Sequence, residues 1–326
     1  MPRVSVILNS YNQRRWLPEA ITSVLGQTFD DWELIAMDNG STDGSPELIR
    51  DFADKDPRIV AVLNKDNRPI SQRFNEGVAR ATGQFLCFLY SDDYYLPHKL
   101  DHQVQLFEGL GADYGVVYAP VRRENALTGR SWQQGSFGAS GYVLREIFTD
   151  YHLGTMDMIS PLTRRECFAR YRFHDDVFAE GEAYFFRVAM KYKFAYDAKA
   201  VAVSRDTGLN AGKATRKNVE MTAVCLDRLE RDPDFPREYA RYVDEFRGRW
   251  LRDSAWSTVR TGGDVAWARE MYWRSVRMRP SGAFHPRTVA GVALSFVPSA
   301  ARATLNRIGT ALRRDPGNAV HVAGYH

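Results

Sequence analysis

The sequence predicts an α/β protein organised on a parallel sheet, and three observations carry that expectation. Four apolar runs of strand length recur before residue 91. Each run stops abruptly at a cluster of Asn, Asp, Ser or Arg, and the clusters lead on into stretches with helical spacing. Alternation of strand, polar loop and helix builds right-handed crossovers between parallel strands. The loops at the carboxyl ends of such strands then share one edge, which is where open α/β sheets bind ligands.

The first strand, Val4-Ser5-Val6-Ile7-Leu8, ends at Asn9-Ser10-Tyr11-Asn12, and an amphipathic helix runs from near Trp16-Leu17-Pro18 through Ile21, Val24 and Leu25. The second, Trp32 to Met37, ends at Asp38-Asn39-Gly40-Ser41-Thr42-Asp43-Gly44, a run of turn formers that leads into a helix around Pro46 to Phe52. The third, Ile59 to Leu63, ends at Asn64-Lys65-Asp66-Asn67-Arg68, and a helix follows from about Ser71 to Ala81. The fourth, Phe85 to Tyr90, is apolar throughout, as a central strand covered on both faces should be, and it stops at Ser91-Asp92-Asp93.

Adjacent carboxylates repel unless a cation lies beside them, and a divalent metal carrying a diphosphate meets that need. The competing reading makes Asp92 and Asp93 caps for a helix beginning near Leu96-Pro97-His98-Lys99. Convergence favours the ligand, because capping alone does not bring Asn, Asp, Ser and Arg from four consecutive strands to one edge. The chain has no Gly-x-Gly-x-x-Gly after its first strand and no Gly-x-x-x-x-Gly-Lys-Ser/Thr, so neither a dinucleotide cradle nor a phosphate loop is present. Phosphate charge would then be met by metal at Asp92, together with Arg68 or Arg73.

Composition sets the outer bounds. At 326 residues and 44% apolar content the chain is long enough for one large domain or two smaller ones with a proper core. No apolar run approaches the ~20 residues that span a bilayer; the longest late one is Val289 to Val297. The chain enters its first strand without a basic leader, so the expected location is cytoplasmic. Cys87, Cys167 and Cys225 lack paired spacing and are expected as buried small hydrophobes. A net charge of +4 does not point to nucleic acid.

Taken as a set, Val4 to Asn12, Ala20-Ile21-Thr22-Ser23-Val24-Leu25-Gly26-Gln27-Thr28, Asp38 to Gly44 and Leu89-Tyr90-Ser91-Asp92-Asp93 resemble family 2 glycosyltransferases, over residues 1 to about 205. The resemblance implies a GT-A fold, a nucleotide-sugar donor with UDP or dTDP favoured, and inversion at the anomeric carbon. Ser10, Tyr11 and Asp38 match positions that hold the donor's base and ribose, with Asn12 and Ser91 beside them. Asp92 matches the metal-ligand position for Mn2+ or Mg2+. Tyr90 stands where the first acid of the usual Asp-x-Asp is found, leaving Asp93 as a second metal candidate. Tyr11 offers a stacking face, and a carboxylate such as Asp38 accepts the ring N–H of uracil or thymine.

The same resemblance places an inverting base within Ala179-Glu180-Gly181-Glu182-Ala183, just before a helix. Direct displacement needs a carboxylate opposite the leaving phosphate to take the proton of the attacking hydroxyl. Glu180 and Glu182 are rivals for that place, with Glu182 favoured; the bland alternative is that either acid complements the helix dipole. The acceptor would be a glycan, a lipid-linked sugar or a natural product. A module of this fold that binds a nucleotide sugar or glycan without turning it over is the second reading.

The expected organisation is a catalytic domain over 1–214 (donor half 1–110, acceptor half 111–214), a helical region over 215–314 and a disordered tail over 315–326. Within the acceptor half a strand is expected from Tyr114 to Pro120 and a helix from Gly141 to Thr149. In the helical region the runs Pro236 to Val259 and Val265 to Arg279 read as a hairpin whose Trp250, Trp256, Trp267 and Trp273 belong to its core. From Met271 to Arg314 there are eight arginines and no acidic residue. Contact of 281–314 with an anionic membrane surface and a solvated helix face explain that pattern equally well.

Overall fold

The computed structural model describes residues 1–207, 215–261, 263–302 and 304. The tail expected at 315–326 and the last part of the 281–314 segment lie outside the described residues. The chain divides into two compact units, one of Met1–Leu144 with Thr155–Asn210, the other of Arg145–Gly154 with Ala211–His326.

The first unit begins with the alternation expected of it: β1 (Val4–Ser10), α1 (Leu17–Leu25), β2 (Trp32–Asn39), α2 (Ser45–Ala53), β3 (Ile59–Asn64), α3 (Ile70–Arg80) and β4 (Phe85–Tyr90). It continues through β5 (Tyr94–Tyr95), α4 (Lys99–Glu108), β6 (Tyr114–Tyr118), β7 (Val121–Asn125), β8 (Ser131–Gln133) and the start of α5 (Leu144–Thr149). After the excursion into the other unit come β9 (Leu162–Arg164), α6 (Arg165–Arg170), α7 (Ala183–Val188), β10 (Lys193–Tyr196) and β11 (Ala202–Asp206).

Seven strands form one sheet in the order β10-β6-β9-β4-β1-β2-β3. β4, β1, β2 and β3 are mutually parallel, so the four polar loops do share an edge. β1 is buried along its whole length, as is all of β4 but Tyr90, which is why both read as near-continuous apolar runs. Leu17, Ala20, Ile21 and Val24 form the buried face of α1, at the spacing of one helix side. On α3, a Cβ at Gly77 would sit 2.5 Å from Ile7 Cγ2 and 3.1 Å from the Met37 sulfur, so the missing side chain lets the helix lie close on the sheet. Rings of Phe74, Phe88, Phe173 and Tyr184 pack in sequence, with centroids 4.4, 5.4 and 4.3 Å apart, and join α3 and β4 to the segment before α7.

Two features go beyond the four parallel strands of the mostly parallel sheet that was expected. β9 enters between β4 and β6 and runs antiparallel to both. A second sheet, β5-β11-β7-β8, stands apart from the first. The helix expected from Gly141 begins only at Leu144, because Gly141 has φ +96° and is bridged to Phe194 in extended pairing.

The second unit contains α8 (Thr215–Arg231), α9 (Ala240–Thr261), α10 (Val265–Met278) and α11 (Pro286–Leu294). Leu251, Ala255 and Val259 of α9 pack on Trp267, Ala268, Met271 and Tyr272 of α10, forming the expected hairpin. Asp264 caps α10, its Oδ1 accepting the amides of Ala266 and Trp267 at 2.9 and 3.1 Å. The excursion residues belong here because the rings of Phe148 and Tyr151 pack on Phe246 of α9. Trp273 corrects the expectation of four core indoles: it is 69% exposed. Among the described residues no helix is long and apolar enough to cross a membrane.

Candidate active site

Strand register lines up the tips of the parallel strands. Asn9 lies beside Tyr90, Ser10 beside Asp38, and Asn39 beside Asn64. Ser10 and Asp38 are direct partners, so their side chains share a face of the sheet. Asp38 is fully buried, and its Oδ2 accepts the amides of Gly40 at 2.9 Å and Ser41 at 2.8 Å. Its Oδ1 has no hydrogen-bond partner, nor has the Ser10 Oγ beside it, nor the Asn9 Oδ1 on the other face. Buried polar atoms are nearly always paired, so two orphans side by side at a strand tip mark a place completed from outside the chain.

The loops around these atoms are stitched together. Asn12, at φ +50°, donates its amide to Ser41 Oγ and accepts the Thr42 amide, both at 2.9 Å. Asn39 donates to Asn67 Oδ1 and the Arg68 carbonyl and accepts the Arg68 amide and Arg73 Nε. Gly40, at φ +81°, meets the third loop where a Cβ would lie 2.6 Å from the Asp66 carbonyl carbon. Arg73 is buried, and its guanidinium is engaged by Asn39, Asp66 and Glu76. Arg68 pairs with Asp66 at 2.6 Å on the surface. Both arginines thus hold the loop in shape. Tyr11 stands outside this lattice, 42% exposed.

The acidic pair follows Tyr90 and so sits beside the tip of β1. Burial pushes the Asp92 carboxyl up to about 6; Arg205 opposes that shift and Asp157 adds to it. Ser91 is buried with Asp93, whereas Asp92 is half-buried. Asp93 is more deeply buried, its Oδ1 accepts the Arg205 amide at 2.7 Å, and burial, reinforced by Asp92 and Asp157, pushes its carboxyl well up. Asp157 itself is held by Arg123 at 2.9 Å, and Arg123 also donates to Ser204 and Gln134 of its surroundings. Arg205 pairs with Glu19 at 2.7 Å and Glu124 at 3.3 Å, between the rings of Trp16 and Tyr94. The second sheet therefore brings two arginines to the strand tips, and Arg123 of β7 holds a third carboxylate, Asp157 of the segment before β9, beside them.

The two rival bases differ in their surroundings. Glu180 has a fully buried side chain; one oxygen accepts Arg187 Nη2 at 2.6 Å and lies 3.1 Å from His174 Nδ1, and the other accepts the His174 amide at 2.8 Å. Burial alone would raise its pKa, but His174 and Arg187 outweigh it and hold the carboxyl low. Glu182 is half-buried, precedes the first residue of α7 without a side-chain capping hydrogen bond, and follows Gly181, whose φ of +55° turns the chain there. Asp157, Arg123, Arg205 and Asn39 were not singled out from the sequence as site residues. For Asp157 a signal existed: one carboxylate between Met156 and Met158, in a stretch otherwise buried.

Comparison with known proteins follows this geometry. A family model described as "Glycosyl transferase family 2" matches residues 5–173, a little over half the chain. An uncharacterised glycosyltransferase of Nostoc sp. is 40% identical over 106 residues, 32% of this chain and 33% of the relative. A Bacillus subtilis protein named for teichuronic acid biosynthesis, TuaG, is 36% identical over 104 residues, 32% of this chain and 41% of the relative. The chain thus spans well under half the length of these curated relatives. Among solved structures, Staphylococcus aureus TarS 1-349 in complex with UDP-GlcNAc superposes with TM-score 0.61 at 15% identity, covering 95% of this chain and 91% of that one. The mannosyltransferase PcManGT of Pyrobaculum calidifontis, in complex with GDP-Man and Mn2+, gives TM-score 0.61 at 15% identity, covering 96% and 88%. At that identity the likeness is one of fold, the GT-A fold.

Proposed function

The chain belongs to glycosyl transferase family 2, and from that premise we propose that it moves a sugar from a nucleoside diphosphate donor to an acceptor hydroxyl, with inversion. The observation that carries the reading is the pair of unsatisfied buried oxygens, Asp38 Oδ1 and Ser10 Oγ. A carboxylate pinned through one oxygen and open at the other accepts a ring N–H, which uracil, thymine and guanine present and cytosine and adenine do not; UDP or dTDP sugars are the donors favoured in this reading. Ser10 and Asn12 lie next to it for the ribose, and Tyr11 offers an exposed face against which a base stacks.

The oxygen donors at the β4 tip fit a divalent cation such as Mn2+ or Mg2+: carboxylates are the hard ligands these ions take. Asp92 would hold it, with Asp93 behind it tied to the Arg205 amide and Asp157 the nearest further carboxylate. When bound, the cation neutralises charge that builds on the departing diphosphate. Arg68 and Arg73 serve the donor indirectly, by holding the loop that Asn39 and Gly40 meet.

Glu182 is the base in this reading, since Glu180 has both oxygens occupied by His174 and Arg187. It takes the proton from the acceptor hydroxyl as that oxygen bonds to the anomeric carbon, and the electron pair of the breaking C–O bond leaves with the phosphate. A glycan, lipid-linked or small-molecule hydroxyl compound is the acceptor class. The relative named for teichuronic acid biosynthesis supports a cell-envelope polysaccharide among these.

The test is a panel of UDP, dTDP and GDP sugars with Mn2+ or Mg2+, read by thermal shift and by release of nucleoside diphosphate. Stabilisation by a uridine or thymidine donor with slow release supports the transferase. Stabilisation without release in any acceptor mixture would favour a non-catalytic binding module. No stabilisation by any of them would overturn the donor site.

A further inference from the structure

One surface of the helical unit is apolar and cationic at once. Among the described residues thirteen large apolar side chains are exposed, and five of them, Trp273, Met278, Phe284, Val289 and Phe296, fall between residues 273 and 296. Single exposed apolar residues are ordinary, but this concentration on adjoining elements is not. Phe284 is 87% and Phe296 72% exposed.

Helical spacing groups these residues. On α10, Arg269, Trp273 and Arg277 recur every fourth residue, on the side away from the buried Ala268, Met271, Tyr272 and Ser275. Along α11 and the turn after it, Val289, Ala293 and Phe296 recur at i, i+4 and i+7, away from the buried Thr288 and Gly291. Arg269 joins the two stripes, with its guanidinium over the Phe296 ring at 5.0 Å and donating to the Ser295 carbonyl at 3.1 Å. The charge has one sign over a long stretch: residues 271 to 314 contain eight arginines and no acid. Acids of α9 engage two of them, Asp253 with Arg287 at 3.1 Å and Glu245 near Arg279 at 4.0 Å. Glu270 is the single carboxylate of α10, and it lines a groove with Arg274 of the same helix and with Arg216 and Glu220 of α8.

We propose that this surface docks on an anionic lipid bilayer. Phe284, Val289 and Phe296 enter the boundary between headgroups and acyl chains, and Arg274 and Arg277 meet the lipid phosphates. A second copy of the chain is the poorer occupant, because its matching surface would bring like charges together.

Flotation of the full chain with phosphatidylcholine vesicles, with and without phosphatidylglycerol, tests the proposal. The protein should float with the anionic vesicles only. Partitioning should fall about tenfold or more in Phe284→Ser/Phe296→Ser, and likewise in Arg274→Glu/Arg277→Glu, with thermal melts showing each variant folded. Absence of wild-type flotation would overturn it, as would equal flotation of the phenylalanine variant. So would a phenylalanine variant that changes only oligomeric state by light scattering, which would assign the surface to self-association.

Discussion

Asp38 and Glu180 are both carboxylates buried within the first unit, and the protein treats them in opposite ways. Asp38 has one oxygen satisfied by two backbone amides and the other left bare. Glu180 has both oxygens filled, by His174 and Arg187. Burial is thus no guide to role by itself. What separates a recognition group from an internal strut is whether the chain has completed its hydrogen bonds.

The contrast can be broken most directly next to Glu180. Glu182→Gln should lower turnover about 10²–10⁴-fold with an unchanged melting temperature, as loss of a general base does. Wild-type turnover in that variant would return the base to Glu180 or elsewhere. Glu180→Gln should do the reverse: leaving Arg187 and His174 without their counter-charge costs about 3–5 kcal/mol of stability, read by urea unfolding. A fully stable variant would show that the ion pair is not a strut.

The open side of the contrast is smaller in energy. In Asp38→Asn one oxygen still accepts the Gly40 and Ser41 amides, but an amide N–H then faces the donor. UDP binding by calorimetry should weaken by about 1–3 kcal/mol, with little change in the nucleotide-free melting temperature. Undiminished affinity would remove Asp38 from base recognition.

Lys99 supplies a third buried charge and the smallest effect. Its Nζ is sealed and donates to Gln103 Oε1 and the Ser160 carbonyl, both neutral. Burial pulls its pKa down from 10.5 to about 8, with Cys87 opposing. Because the folded value lies below the unfolded one, the unfolded chain holds more protons above pH 8, and stability rises with pH in the window from about 8 to 10.5. Between pH 7 and 9 the wild type should gain about 1 kcal/mol relative to Lys99→Met. Parallel pH profiles of the two proteins would show that Lys99 keeps its proton when folded through that window and that burial does not lower its pKa.

The parallel strands and their loops were legible because each signal is local: an apolar run, a stop, a helix face. Ser10, Asp38 and Asp92 were reachable because strand ends fall on one edge once the crossovers are right-handed. Arg73 shows where that reasoning stops. A loop-proximal arginine reads as a phosphate ligand, and only the fold reveals that Asn39, Asp66 and Glu76 have claimed it. Arg123 depends on a sheet whose strands come from residues 94 to 206, Asp157 is held through Arg123, and no local pattern encodes that pairing. The choice between Glu180 and Glu182 turns on His174 and Arg187, which periodicity does not connect to either.

β9 pairs with β4 through only Phe85 and Leu86, yet those contacts close one flank of the most apolar strand in the chain. A protein ending near residue 110 would keep the loops at the tips of the four parallel strands and leave that flank bare beside Phe85 and Leu86. Such a fragment should self-associate through open strand edges before it could serve as a donor-binding module. The short return strand therefore covers an edge that would otherwise be open to pairing with another chain.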